Sequence, residues 1–214
     1  DSYQNIFQSM DQPSIDGFNT WFASKLAKDS GFKVVMSGIG GDELFMGYPG
    51  FREIPRLSAI WKNISKLPFF DELSTLLLEK YAKCKNNMRY ADIPSLLKSI
   101  QGGWLLKRSI RSQKEIPDNL SKYITANKIV NDAVKNFSSN DYLKYAQLET
   151  KLYLKNQLLK DSDWASMANS LELRTPLVDI FLLNGLSKNL HQFINYKNKS
   201  LLSNSAKNPL PENI

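Results

Sequence analysis

The sequence predicts an α/β fold that is mostly helical, with about one buried strand leading into a ligand-binding loop. The strand is indicated by Val34, Val35 and Met36, an apolar run without the polar alternation of a half-exposed strand. The loop is indicated by residues 37–41, which hold three glycines within four positions. Glycine lets backbone N–H groups approach a ligand closely, because it has no side chain in the way. Much of the remaining chain has the apolar spacing of amphipathic helices.

Two acidic residues, Asp42 and Glu43, follow the glycine loop directly and narrow the kind of ligand it binds. Glycine loops hold phosphates, but phosphate and carboxylate repel each other unless a cation such as Mg²⁺ lies between them. The dinucleotide fingerprint is not met, since Gly38-Ile39-Gly40 has no glycine at position 43, and no Gly-Lys-Ser/Thr follows. On this pattern alone an alternative stays open, in which Asp42 and Glu43 only cap a helix after a tight turn.

Upstream of the strand, the sequence predicts a helix over residues 14–30, with Ser14 as its N-cap and Gly31 just after its end. Its apolar face consists of Ile15, Phe18, Phe22 and Leu26. Because the strand follows directly, we expect this helix to cover one face of the sheet. No second convincing strand is visible, although a lone strand is unstable without a neighbour.

Downstream of Tyr48 the pattern is helical with short breaks. Three apolar stripes have helical spacing: Leu73, Leu76, Leu77 and Tyr81; Ile93, Leu96, Leu97 and Ile100; Tyr142, Tyr145, Leu148 and Leu152. We interpret Gly102-Gly103 as a break and residues 112–138 as a long polar loop. Residues 139–141 are predicted to start one helix, and Asp161-Ser162-Asp163 to cap the next.

Composition and charge bound the class of protein. No apolar run in the 214 residues is long enough to span a bilayer, and the first residues lack the basic and apolar regions of a signal peptide. The single cysteine, Cys84, excludes an internal disulfide and fits a reducing compartment, so the cytoplasm is the expected location, with no membrane partner. The net charge of +7 comes from scattered lysines, which favours solvated faces or an acidic partner over a nucleic-acid surface.

Two long motifs, in the same order, resemble the synthetase domain of the asparagine synthetase family. The first is SGIGGDELFMGY at residues 37–48, similar to the family pattern Ser-Gly-x-Gly-x-Asp-Glu-x-Phe-x-Gly-Tyr. The second is DWASMANSLELRTPLVD at residues 163–179, similar to Asp-Arg-x-Ser-Met-Ala-x-Ser-Leu-Glu-x-Arg-x-Pro-Phe-Leu-Asp. Residues 11–14, DQPS, also resemble the segment that precedes the first motif. Together the matches extend from residue 11 to residue 179.

The resemblance implies that residues 1–214 form a partial synthetase domain with the adenine-nucleotide (pyrophosphatase-type) parallel-sheet fold. In the family the sheet begins with an earlier strand that carries a Ser-Gly-Gly-x-Asp-Ser pyrophosphate loop, and a lysine-bearing motif follows the second match. We recognise neither motif in the sequence and expect both to lie outside the chain. The 214 residues alone are therefore expected to be inactive.

The implied activity is ATP-dependent amide formation, with ATP and Mg²⁺ as cofactors. A carboxylate attacks the α-phosphate of ATP to give an acyl-adenylate and pyrophosphate, and an amine then displaces AMP. The implied partners are a small carboxylate substrate (aspartate or an analogue) and an ammonia donor or glutaminase domain outside this chain; a homo-oligomer stays open. The residues assigned to cofactor binding are Ser37, Gly38, Gly40, Gly41 and Asp42, of which the first four are assigned to phosphate oxygens. Asp42 is also the candidate Mg²⁺ ligand, and Asp163 the candidate catalytic residue.

The sequence departs from the family pattern at Ile39, where glutamine-dependent asparagine synthetases have a glutamate that acts as a base. Isoleucine accepts no proton, so either another group supplies the base or the reaction does not use ammonia. Relatives that resemble asparagine synthetase but serve surface-sugar modification are therefore also possible matches. Two other classes stay open: a non-catalytic helical interaction or scaffold domain that keeps the fold, and a basic RNA-binding relative.

Structural roles are expected for the remaining conspicuous side chains. Glu172 and Arg174 are interpreted as a buried ion pair, and Asp179 as a structural acid that opens a short apolar helix. Ser166 and Met167 are interpreted as packing residues, Glu43 as a helix cap, His191 as a surface or packed residue and Cys84 as a buried thiol.

Overall fold

The computed structural model describes residues 2–117, 126–135, 140–187, 189–196 and 199–207. The chain divides into two compact units, which are described separately. Unit 1 comprises Asp1–Gly47 and Glu149–Ile214, and unit 2 comprises Tyr48–Leu148. Within the described residues the protein is mostly helical with one small parallel sheet, as predicted for the α/β class. None of the helices in this part of the chain combines the length and the apolar character needed to cross a membrane.

The first segment of unit 1 contains α1 (Ser2–Ser9), α2 (Asp16–Asp29), β1 (Val34–Met36) and α3 (Gly41–Leu44). Helix α2 begins at Asp16, and the predicted capping bond is present, because the Ser14 Oγ accepts the Asp16 N–H at 3.2 Å. The Ser14 hydroxyl also donates a hydrogen bond to the Asp161 carboxylate. The end of α2 is confirmed, since Gly31 follows it in the left-handed region with φ of +88°.

Two tryptophans, Trp21 and Trp164, form the centre of the core of unit 1. They are buried together with Ile6 and Ala165. Gly17 brings the helices close, because a Cβ there would lie 2.1 Å from Cζ2 of the Trp164 ring. Helix α2 therefore packs on the helix that carries Trp164. The predicted apolar face of α2 is wrong, since three of its four members are exposed: Ile15, Phe22 and Leu26.

Unit 2 consists of helices and short 3₁₀ segments: α4 (Gly50–Ile64), α5 (Phe70–Cys84), a 3₁₀ helix (Met88–Asp92), α6 (Ile93–Leu96), α7 (Ile100–Arg108), a 3₁₀ turn (Gln113–Glu115), α8 (Ala126–Val134) and α9 (Asp141–Leu148). Gly102 and Gly103 do not break the chain but lie inside α7. A Cβ on Gly102 would lie 2.0 Å from the Leu96 carbonyl oxygen, and one on Gly103 would lie 2.5 Å from Ile54 Cγ2. The glycine pair thus lets α7 pack closely on its neighbours.

The predicted stripes of unit 2 differ in outcome. Those of α6–α7 and α9 are confirmed at their buried positions, which are Leu96, Leu97, Ile100, Tyr145 and Leu148. Asn140 starts α9 as predicted, because its side-chain oxygen accepts the Tyr142 N–H at 2.9 Å. The stripe of α5 is exposed instead, as is the Cys84 thiol that we expected to be buried. The predicted loop over residues 112–138 contains α8, while residues 118–125 and 136–139 lie outside the described chain.

The second segment of unit 1 contains a π-helical stretch (Glu149–Leu158), α10 (Leu159–Met167), β2 (Glu172–Arg174), a 3₁₀ turn (Pro176–Val178), α11 (Ile180–Ser187), a 3₁₀ helix (Leu190–Asn195) and α12 (Ser200–Asn204). The predicted cap at residues 161–163 is wrong, because α10 begins at Leu159 directly after the π-helical stretch. Asp161 is buried inside the helix, where its carboxylate accepts from the Ser14 hydroxyl and from Trp164 Nε1. This acid joins α10 to the segment before α2.

The sheet pairs β1 with β2 in parallel, with Val35 opposite Leu173. The second strand was not predicted from the sequence, because residues 172–174 contain a single leucine between two charged side chains. The expected burial of β1 on both faces is wrong in the described chain, since Val34 is 39% exposed and Met36 72%. The pairing nevertheless brings the two sequence motifs side by side.

Candidate functional site

The glycine loop and the second motif meet where the two parallel strands end. The Ser37 N–H donates to the Arg174 carbonyl at 2.8 Å, which continues the strand pairing by one residue. Beyond this point Gly40 lies against the 3₁₀ turn, since a Cβ there would lie 2.8 Å from Val178 Cγ2. Gly40 also has φ of +91°, so both its conformation and its surroundings require glycine. Ligands of open α/β sheets bind at this edge, beyond the carboxyl ends of the strands.

The loop presents several hydrogen-bond donors. In the described part of the chain, the N–H groups of Gly38 and Gly40 have no hydrogen-bond acceptor. The Ser37 Oγ accepts the Ile39 N–H at 3.3 Å, which leaves its hydroxyl proton available for donation. Gly41, also assigned to phosphate, uses its N–H in the turn, where it donates to the Gly38 carbonyl at 3.1 Å. The loop thus keeps donors at three of the four predicted positions.

The Asp42 carboxylate forms an ion pair at the mouth of the loop. Its Oδ1 lies 3.0 Å from Nζ of Lys199, and both side chains are partly exposed. Asp42 lies within the first turn of α3, whose N-cap is Gly40 and has no side-chain cap. Asp42 and Glu43 thus lie in the first turn of α3, where their negative charges complement the helix dipole, and neither residue is the N-cap itself. Glu43 is buried beside the loop.

Lys199 is the site residue that the sequence analysis missed. It precedes α12 in the left-handed region, with φ of +59°. Its position before the apolar pair Leu201-Leu202 does not distinguish it from the other lysines of the chain. Only the contact with Asp42, from a segment more than one hundred and fifty positions earlier, identifies it.

No cluster of three or more His, Cys, Asp or Glu side chains that could hold a metal ion is found in the described residues. Of the two acidic side chains that follow the loop, Asp42 is partly exposed and Glu43 is buried, so Asp42 is the carboxylate that a cation at the loop could reach. This donor set fits Mg²⁺, which is commonly held by one or two carboxylates together with substrate phosphates and water.

Asp163 lines a cavity of about 250 Å³ beside the second strand. The cavity is bounded by α10 and β2 through Ser162, Asp163, Ser166, Met167, Glu172 and Thr175. Asp163 is exposed in the middle of α10, not at its cap, and no described residue forms an ion pair or hydrogen bond with its carboxylate. Ser166 is buried as expected, whereas Met167 is exposed. Thr175 directly follows Arg174, whose carbonyl accepts the Ser37 N–H. The cavity therefore lies beside the start of the glycine loop.

The other acidic residues of the second motif have structural contacts. Arg174 Nε donates to Glu172 Oε1 at 2.7 Å, but both side chains are more than half exposed, so the predicted buried ion pair is wrong. Asp179 opens α11 as predicted, because its Oδ1 accepts the Leu182 N–H at 2.9 Å. The side chain of His191 lies outside the described part of the structure.

Comparison with known proteins gives two findings that agree with the motifs. A family model described as asparagine synthase matches residues 1–214. A curated relative, asparagine synthetase [glutamine-hydrolyzing] 1 of Bacillus subtilis (strain 168), is 29% identical over 205 residues. The alignment covers 91% of this chain but only 31% of the relative, so the chain spans about a third of that protein's length. No solved structure gives a significant match.

Proposed function

Because the chain belongs to the asparagine synthase family, we propose that it forms part of an ATP-dependent, amide-forming ligase. In the first step a carboxylate oxygen of the substrate bonds to the α-phosphorus of ATP, and the bond to the bridging oxygen breaks to release pyrophosphate. In the second step an amine nitrogen bonds to the acyl carbon, AMP leaves with the electron pair of the broken C–O bond, and a base takes the proton from nitrogen.

The observation that carries the proposal is the convergence of both motifs at one edge of the sheet. The Ser37–Arg174 hydrogen bond and the Asp42–Lys199 ion pair join segments that are far apart in the sequence. A site built from loops beyond parallel strands is the usual position for a nucleotide in such folds.

The loop suits the charge that develops on a leaving pyrophosphate. The N–H groups of Gly38 and Gly40 and the hydroxyl of Ser37 donate to phosphate oxygens, and the ammonium of Lys199 neutralises part of their charge. Donors fixed before the reaction cost no reorganisation when the charge moves. We propose Gly41 as a shaping residue of the loop and not a phosphate ligand, because its N–H is already bonded.

Asp42 is the proposed ligand for Mg²⁺. The ion, when bound, would offset the negative charge of the phosphates and supply Lewis-acid polarisation of the phosphoryl group. Lys199 holds the Asp42 carboxylate in place before the nucleotide arrives. The same pair gives the loop both an anionic group for the metal and a cationic group for phosphate.

Asp163 is the proposed base for amide formation. Its exposed carboxylate faces a cavity large enough for a small substrate group, and no described side chain competes for it. The neighbouring Glu172 is engaged by Arg174 and is the weaker candidate. Since Ile39 cannot accept a proton, the proposal places this role on α10.

The proposed substrate is aspartate or a related small carboxylate, with ammonia supplied by a glutaminase domain outside this chain. The Bacillus subtilis relative is named as a glutamine-hydrolysing asparagine synthetase, which supports this substrate and ammonia source. Amidation of another carboxylate, such as a surface sugar, is the second candidate, and the observation that favours it is Ile39 in the loop.

Carboxylate-dependent exchange of pyrophosphate into ATP, measured on the full-length protein with and without Mg²⁺, tests the proposal. We expect exchange with one member of a panel of aspartate, glutamate and uronic acids, and none from the 214-residue chain alone. A folded full-length protein that exchanges with no carboxylate in the panel would instead support the non-catalytic scaffold.

A further inference from the structure

Gly47, the first glycine after α3, lies directly on the Asp42 carboxylate. A Cβ at residue 47 would lie 2.0 Å from Asp42 Oδ1 and 3.1 Å from Lys199 Cγ. Carbon and oxygen atoms that are not bonded to each other do not approach to 2.0 Å. Any larger residue at position 47 therefore displaces the Asp42 carboxylate, the Lys199 stem or both.

The turn at the end of α3 places Gly47 in this position. Met46 has φ of +54°, and the Gly47 N–H donates to the Asp42 carbonyl at 2.8 Å. This is the Schellman arrangement, in which a left-handed residue turns the chain back onto the last turn of the helix. Met46 is fully buried, so its side chain anchors a backbone conformation that is uncommon for residues other than glycine.

Gly47 is thus needed for space and not for its own conformation. It is absent from the residues of the described chain that have positive φ, so alanine would be free of backbone strain there. Its replacement by alanine consequently isolates one effect, which is contact with the Asp42–Lys199 pair.

We propose that Gly47 is a positioning residue whose missing side chain keeps Asp42 Oδ1 within ion-pair distance of Lys199. The consequence for catalysis rests on the function proposed above, in which Asp42 binds Mg²⁺ and Lys199 binds phosphate. The geometric part of the proposal does not depend on that function.

Acylation of lysines by an amine-reactive ester, followed by peptide mass spectrometry of the full-length protein, tests the geometry. A lysine nitrogen held by a carboxylate must leave that contact before it can attack the reagent, so the ion pair slows its acylation. We expect Gly47→Ala to raise the acylation rate of Lys199 about two- to fivefold, as expected for loss of a partly exposed ion pair. Lys25, which pairs with Asp29 at the same 3.0 Å distance, serves as the internal reference. Gly185→Ala is the matched control, because its Cβ would meet no atom within 4 Å.

A second variant separates positioning from simple misfolding. Asp42→Asn should raise the acylation of Lys199 by a similar factor, and Gly47→Ala should add nothing further to it. An unchanged Lys199 rate in a folded Gly47→Ala protein, or an additive increase in the double variant, would overturn the proposal. If Gly47→Ala fails to fold, removal of the clashing carboxylate in the double variant Asp42→Gly/Gly47→Ala should restore folding. A double variant that still misfolds would also overturn the proposal.

Pyrophosphate exchange then tests the link to catalysis. Gly47→Ala should lower exchange nearly as much as Asp42→Asn, again without additivity in the double variant. An altered Lys199 acylation rate in a protein without any exchange activity leaves the positioning role intact and contradicts only the proposed function. Normal exchange in Gly47→Ala, together with an altered acylation rate, contradicts the catalytic role of the ion pair.

Discussion

Replacement of Asp42 by asparagine separates a ligand-binding carboxylate from a merely structural one. Asparagine has the same shape and keeps one side-chain oxygen, but it has no charge for Lys199 or Mg²⁺. The substitution therefore removes the charge of the Asp42–Lys199 pair and leaves the space around Gly47 filled as before.

The structure gives different magnitudes for stability and for rate. Asp42 and Lys199 are about a third exposed, 31% and 40%, so their ion pair contributes about 0–1 kcal/mol to the free energy of unfolding. A charged group that meets developing charge in a phosphoryl transfer is worth more, on the order of 10²–10³ in rate. We expect Asp42→Asn to lower pyrophosphate exchange by that factor while the protein stays folded.

The assay compares exchange rate and urea unfolding for Asp42→Asn and for a control variant, Asp29→Asn. Asp29 forms an ion pair with Lys25 at 3.0 Å on the surface of α2, so it matches Asp42 in residue type, partner and distance. Asp29→Asn should change neither the pyrophosphate exchange rate nor the free energy of unfolding by a measurable amount. An exchange rate of Asp42→Asn within about threefold of the wild-type rate would refute the proposed role of Asp42 as the Mg²⁺ ligand.

Two further predictions concern the loop and unit 2. Ile39→Glu in the full-length protein should raise asparagine formation from aspartate, ATP and ammonium, because it restores a base and a partner for a cation in the loop. Efficient wild-type synthesis that the substitution reduces further would contradict this. In unit 2, the hydrogen bond from Lys98 lowers the pKa of Asp71 below its ordinary value of 3.8. A lowered folded-state pKa stabilises the protein above about pH 4, and this contribution disappears as the pH falls through the folded-state value. Lys98→Met should therefore flatten the dependence of the unfolding free energy on pH below about pH 4. An unchanged slope would contradict a stabilising interaction between Lys98 and Asp71.

The sequence predicted those structural features that depend on local chemistry. The glycine-rich loop after β1, the turn at Gly31 and the Asp179 cap of α11 were all predicted correctly, because each follows from a few adjacent residues. The family was also recognised from contiguous motifs. In such cases the residues that determine the structure lie within one short window of the chain.

The missed features depend on residues that are distant in sequence. Strand β2 has two charged residues around Leu173, and only its pairing with β1 makes it a strand. Lys199 becomes a site residue only through Asp42. Gly103 resembles part of a break, but it lies within α7, where a Cβ would meet Ile54 Cγ2 of α4. Backbone approach and long-range ion pairing leave no periodic signal in a sequence.

The parallel pairing of β1 with β2 also constrains how the protein folds. Val35 and Leu173 are opposite each other although roughly 140 residues separate them along the chain, and all of unit 2 lies within that interval. Closing so long a loop is entropically costly, and contacts of high sequence separation form late in folding. The loop shortens once the intervening residues have become compact. Substitutions that slow the folding of unit 2 are therefore expected to delay the pairing of β1 with β2, even where they touch no residue of either strand.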